Sequence, residues 1–200
     1  MTAAIVMALS DREDLQKQTI ETIRENTLWP YVLYTRDGMK EGEMKTVNSL
    51  IDGISFEWEW LVRSDDDMFY KSGWLEYMIG ALQENPDVWL LGGCRYPTHT
   101  IREERDRIYI MDVCPGNHWL MSRKTWDKFG PFYEDFVKNK AEDRRFCEAI
   151  QKEGGKVATL KNPTFVVHTG IKGTTGKGRS DYVEGYMRGL ADAVGAKTNA

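Results

Sequence analysis

Cysteine is scarce in this chain, with three in 200 residues at positions 94, 114 and 147 and no CxxC spacing. That excludes a disulfide framework and a cysteine-built zinc site, and leaves these side chains as small buried packers. Long apolar runs are missing too. No stretch approaches the roughly eighteen residues of a membrane span, and residues 1–9 have neither the basic start nor the length of a signal peptide, so the expected location is cytoplasmic. A positive surplus is also lacking: the net charge of -4 argues against a chain built around nucleic-acid binding. What remains is 41% hydrophobic content in a length that suits one domain with a full core.

Read in order, residues 3–9 are a continuous apolar run, expected as a buried strand. Ser10-Asp-Arg-Glu13 then forms a capping-box pattern opening a helix over residues 13–27. A strand at 31–35 precedes a helix at 43–54, whose Met44, Val47, Leu50, Ile51 and Ile54 make one apolar stripe. The strand at 58–62 leads to a helix capped by Ser72 and stopped by Asn85-Pro86, and residues 88–91 form a fourth strand. This alternation predicts an α/β domain with a parallel, doubly wound sheet flanked by helices. Beyond it come a loop over 94–106, a strand at 107–113, and a short strand after a close backbone approach at Gly116. Helices follow at 123–129 and 141–153, strands at 156–160 and 164–168, and a last helix at 181–194.

The third strand runs straight into Asp65-Asp66-Asp67. Like charges that close repel by about 4 kcal/mol per pair at ~4 Å and an effective dielectric near 20. Side chains two apart on a strand share a face roughly 7 Å apart, so Asp65 and Asp67 point together and Asp66 points away. The pair suits a divalent cation, magnesium or manganese, that keeps positions open for substrate phosphates. A solvated acidic turn is the competing account. An EF-hand is excluded, because Tyr70 falls where its loop needs glycine.

Other candidates cluster at strand ends, where open α/β sheets bind ligands. The first turn of helix one is an anion site to which Arg12 adds a cation, unless Arg12 is an ordinary surface residue. Asp37 is placed to accept from a ribose or base, or simply to form the turn before Gly38. His118 reads as a satisfied core histidine, and Trp119 as a core residue or the wall of an acceptor pocket. Glu142 and Asp143 begin a helix whose positive end favours carboxylates. His168 ends an apolar strand where an imidazole can bind metal. Residues 170–179 are Gly-rich and basic; their spacing is wrong for a P-loop, and Lys172, Lys177 and Arg179 suit a lid over phosphates.

Taken in sequence, the strand ending in Arg63-Ser-Asp-Asp-Asp-Met-Phe, the helix near Trp74-Leu75, Gly116, Ala141-Glu-Asp143 with Cys147, Gly154 and Val-Val-His168 resemble a GT-A fold nucleotide-sugar glycosyltransferase. The first segment is similar to the DxD region of galactosyltransferase-like and fringe-like enzymes, and residues 142–160 to the second half of the large family-two group. The resemblance spans roughly residues 3–168. It implies one GT-A domain over 1–169, with 170–200 as its lid and last helix. It implies a donor, UDP- or GDP-linked, held by Arg12, Asp37, Asp65, Asp66, Lys172, Lys177 and Arg179, and Mn2+ or Mg2+ held by Asp65, Asp67 and His168. Asp143 becomes the base of an inverting enzyme, with Glu142 and Trp119 on the acceptor side. Two departures stand out. Arg36 occupies the first of the family's paired acids after strand two, and the Gln-x-x-Arg-Trp motif of processive members is absent, which argues against polymer synthesis through a membrane channel.

Two alternatives compete. A nucleotidyltransferase on a related sheet would carry a Gly-rich basic loop after strand one, which Ser10-Asp-Arg-Glu13 is not. A non-catalytic nucleotide- or sugar-binding module leaves Glu142 and Asp143 with helix capping alone.

Overall fold

The computed structural model describes residues 2–96, 99–134 and 142–169. Its elements are β1 (Ala3–Leu9), α1 (Glu13–Asn26), β2 (Tyr31–Asp37), α2 (Glu43–Asp52), β3 (Trp60–Ser64), β4 (Met68–Tyr70), α3 (Trp74–Glu84) and β5 (Val88–Gly92). The chain continues with β6 (Ile101–Glu104), β7 (Ile108–Met111), β8 (His118–Ser122), α4 (Arg123–Phe129), α5 (Glu142–Lys152), β9 (Lys156–Leu160) and β10 (Val166–His168).

Eight strands form one sheet in the order β2-β1-β3-β8-β5-β9-β7-β6, and β10 pairs with β4 in a second, two-stranded sheet. β1 runs parallel to β2 and β3, and β5 parallel to β9, while β8 lies antiparallel between β3 and β5 and β7 is antiparallel to both neighbours. All large-sheet strands except β7 and β8 therefore point the same way. The mostly parallel sheet flanked by helices is as expected, and the order expected from alternation holds through β3. It gives way at β8, which takes the place beside β3 that alternation alone assigns to β5.

Period-two patterning explains how both faces of the sheet are covered. Ala3, Ile5, Met7, Trp60, Val62 and Leu120 face α1 and α3 and pack with Ile23, Trp74, Leu75 and Met78. The alternate residues Ala4, Val6, Leu61, Trp119 and Met121 face α2 and α5 and pack with Met44, Val47, Leu50, Phe146 and Ile150. Helices thus sandwich the sheet, and the C-terminal ends of β1, β2 and β3 open on a common rim.

Several local expectations change. The capping box does not form: Arg12 is the N-cap of α1 with no side-chain cap bond, and Ser10 Oγ instead accepts from the Arg12 N–H at 3.3 Å. Gly73, at φ 75°, rather than Ser72, starts α3. The loop expected over 94–106 contains β6, an exposed charged edge strand paired with β7. No helix among the described residues is long and apolar enough to cross a membrane.

Candidate active site

The acidic triplet leaves β3 on the common rim, and its backbone is pinned at every residue. The Asp65 N–H donates to the Asn117 carbonyl at 2.9 Å. Thr19 Oγ1 donates to the Asp66 carbonyl at 2.9 Å and accepts from the Met68 N–H at 3.1 Å. The Asp67 carbonyl accepts from both the N–H and the hydroxyl of Thr169, each at 3.0 Å. Strand β10 lies antiparallel to β4 with His168 opposite Met68, and this register carries the imidazole to the triplet.

The strand geometry expected through the triplet stops at Ser64, and Asp66 and Asp67 form a turn before β4, from which their side chains diverge. Asp66 is buried, accepts from the Ser10 N–H at 2.6 Å and pairs with Arg12 Nη2 at 2.5 Å. Its carboxylate is committed to the end of β1, so the donor-facing place expected for Asp66 does not match its geometry. Arg12 spans the triplet, with Nη1 2.5 Å from Asp67 Oδ2. Asp67 Oδ1 is buried and meets no donor in hydrogen-bonding geometry among the described residues, while His168 Nε2 stands 3.1 Å from it. On the imidazole's other side, His168 Nδ1 lies 3.5 Å from the Tyr96 hydroxyl. Burial opposes ionisation of Asp67, but His168 and Arg12 outweigh it and hold the carboxyl below its ordinary range.

Ligand atoms from Asp65, Asp67 and His168 all lie within 4.8 Å of one another. Opposite ligands on a magnesium-sized ion stand about 4.2 Å apart, so a small inward shift closes the set. The two carboxylate oxygens suit manganese or magnesium, and the imidazole nitrogen adds a third ligand.

Charge points the same way. Arg63 is buried beneath the site and pairs through Nη2 with Glu43 and, at 3.4 Å, with Asp65. In this connected cluster four carboxylates (Glu43, Asp65, Asp66, Asp67) face two guanidiniums (Arg12, Arg63), leaving two negative charges that one divalent cation balances. Burial, then the adjacent Glu43, push the Asp65 carboxyl well above its usual range.

Asp143 comes to the same place from α5. A Cβ on Gly116 would meet Arg63 Nη1 at 3.0 Å and Asp143 Cβ at 3.2 Å, so the close approach expected at Gly116 brings α5 against the floor of the site. Asp143 and Glu142 are partly exposed at the helix start, and Asp143 Oδ1 accepts from the Arg144 N–H at 2.6 Å. Asp37 ends β2 on the rim, exposed, with Oδ1 accepting from the Met39 N–H at 2.8 Å as a turn-former does. Lys172, Lys177 and Arg179 lie outside the described residues.

Trp119 is corrected. It is fully buried, stacked on Phe146 at 5.3 Å beneath the Arg63 guanidinium, so it is a floor to the site and cannot line an acceptor pocket. His118 is buried as expected but not satisfied: neither ring nitrogen has a hydrogen-bond partner among the described residues, and burial, then Arg63, lower its pKa to about 3. Sequence reasoning missed Glu43, which looked like nothing more than a helix start. A carboxylate in the first turn after strand two, with arginine two residues before the triplet, was the available signal.

No protein-family model and no curated protein sequence matches this chain. Solved structures do. The mannosyltransferase PcManGT from Pyrobaculum calidifontis, in complex with GDP-Man and Mn2+, superposes with a TM-score of 0.58 at 13% identity, over 80% of this chain and 54% of that one. GalNAc-T7 with UDP, GalNAc and Mn2+ gives 0.64 at 10% identity, over 84% and 44%. S. aureus TarS 1-349 gives 0.59 at 12% identity, over 81% and 58%. The chain has the GT-A fold of these glycosyltransferases, and it spans about half the length of each.

Proposed function

We propose that this chain is a metal-dependent, inverting glycosyltransferase that moves a sugar from a UDP- or GDP-linked donor to an acceptor hydroxyl. The observation that carries this reading is the convergence of Asp65, Asp67 and His168 on the strand rim of a GT-A fold, with Asp67 Oδ1 buried and His168 Nε2 3.1 Å from it. Two of the solved neighbours, one in complex with GDP-Man and Mn2+ and one with UDP, GalNAc and Mn2+, support the donor class and the cation.

Asp65, Asp67 and His168 hold the cation, Mn2+ or Mg2+. When bound, it supplies charge neutralisation on the departing nucleoside diphosphate. Arg12 fixes Asp67 from the side away from His168, so the carboxylate has one orientation and little to reorganise. Asp37 on the β2 end, with Lys172, Lys177 and Arg179 of the following segment, binds the donor. Asp143 takes the proton from the acceptor hydroxyl as its oxygen attacks the anomeric carbon, and Glu142 orients that hydroxyl. One displacement inverts the stereochemistry.

The test is release of UDP or GDP from a panel of nucleotide sugars in the presence of Mn2+, with and without chelator. Asp67→Ala is expected to remove metal-dependent donor binding. Asp143→Asn is expected to abolish transfer while leaving donor binding near normal. Wild-type turnover in Asp143→Asn would remove it as the base, and metal-independent binding of nucleotides without turnover would favour a binding module.

A further inference from the structure

Arg63 is an unusual counter-ion. Its side chain is 2% exposed and lies over the Trp119 ring, 5.3 Å from guanidinium carbon to ring centroid. Nε and Nη1 have no hydrogen-bond partner among the described residues, so all its carboxylate pairing runs through Nη2. Two carboxylates compete for that one nitrogen. Glu43 Oε1 holds it in a short contact, while Asp65 Oδ1 stands at 3.4 Å, the outer limit of a hydrogen bond. Glu43 comes from the first residue of α2, and its side chain is 49% exposed, so it contributes little to the core.

We infer that Glu43 is a positioning residue for the cation site: by taking the closer share of Arg63 Nη2 it limits the pull of Arg63 on Asp65 to a contact at 3.4 Å, and so leaves the Asp65 carboxylate able to face a divalent cation. The physical reason is competition. A buried guanidinium nitrogen with two N–H groups divides its attraction between the carboxylates that reach it, and the closer one takes the larger share. Without Glu43 the remaining partner is Asp65, which Arg63 would draw away from Asp67 and His168 while cancelling its charge. Both effects lower cation affinity. The inference rests on the metal-dependent reading above, because Asp65 needs to be free only if it has a cation to bind.

The experiment is titration of the intact chain with Mn2+ alone, following free Mn2+ by electron paramagnetic resonance. Loss of a group that orients a ligand characteristically costs 10- to 100-fold in metal affinity, and Glu43→Gln is expected to fall in that range with the fold retained by circular dichroism. In an Arg63→Met background Asp65 has no competitor, so adding Glu43→Gln is expected to change affinity by less than about threefold, a non-additivity read as a double-mutant cycle. Wild-type affinity in Glu43→Gln, alongside lost binding in Asp67→Ala, would overturn the role of Glu43 and leave the metal site standing. An undiminished Glu43→Gln effect in the Arg63→Met background would also overturn it, because Glu43 would then act directly on the cation. Failure of the wild type to take up Mn2+ would remove the metal-dependent reading and this inference together.

Discussion

Asp66 and Asp67 are adjacent in sequence yet have different partners, because the chain turns between β3 and β4 and sends Asp66 towards the end of β1 and Asp67 towards His168. Asp66→Ala strips an acceptor from the Ser10 N–H and a partner from Arg12, both partly buried. Leaving such groups unpaired costs about 1–3 kcal/mol each, so urea denaturation is expected to show a loss of that order. His118 supplies a pH test. Its folded pKa, lowered to about 3 from 6.5, means that below about pH 6.5 the unfolded chain takes a proton the folded chain refuses. Stability therefore falls as pH drops from 6.5 towards 3, at up to roughly 1.4 kcal/mol per pH unit. Denaturation midpoints between pH 7 and pH 4.5 are expected to fall less steeply in His118→Gln than in the parent chain.

At the level of elements, the sequence disclosed what depends on neighbours along the chain and concealed what depends on distant pairing. Strands β1, β3, β5 and β9 and helices α1 to α5 were readable because apolar periodicity is a local property. The position of β8 was not, since its partners Trp60 to Ser64 and Leu91 to Gly92 lie far away in sequence and nothing in His118 to Ser122 specifies direction. The three-residue β4 was hidden because the aspartates before it read as the end of a strand and Ser72 after it as the start of a helix, leaving too few residues between them to show a period. The same split governs the site. Asp65, Asp67 and His168 were nameable from residue type and strand ends, whereas Glu43 becomes visible only once α2 is seen beside Arg63. Gly116 tests how tightly β8 and α5 are joined. Gly116→Ala adds a carbon 3.0 Å from Arg63 Nη1 and 3.2 Å from Asp143 Cβ. Small misplacements of reacting groups cost up to about a hundredfold in rate, so kcat is expected to fall by as much as that in steady-state assays while the fold persists.

For the molecule as a whole, a cation and a nucleotide that bind only the folded chain must stabilise it. At a hundred times Kd the linkage is about 2.7 kcal/mol, or roughly 5–10 °C in Tm for a chain of this size. Scanning calorimetry with Mn2+ and UDP or GDP is expected to show that rise in the parent chain and its loss in Asp67→Ala. One pairing described above reaches further. Thr169, which fixes the Asp67 carbonyl, is separated from it by 102 residues, and His168 arrives one residue before it at the end of β10. A nascent chain that has emerged only through β9 carries every aspartate of the triplet but neither the imidazole nor the clamp. On the proposed reading, such half-made molecules leave the cell's activated sugars untouched, and competence switches on only when β10 zips against β4.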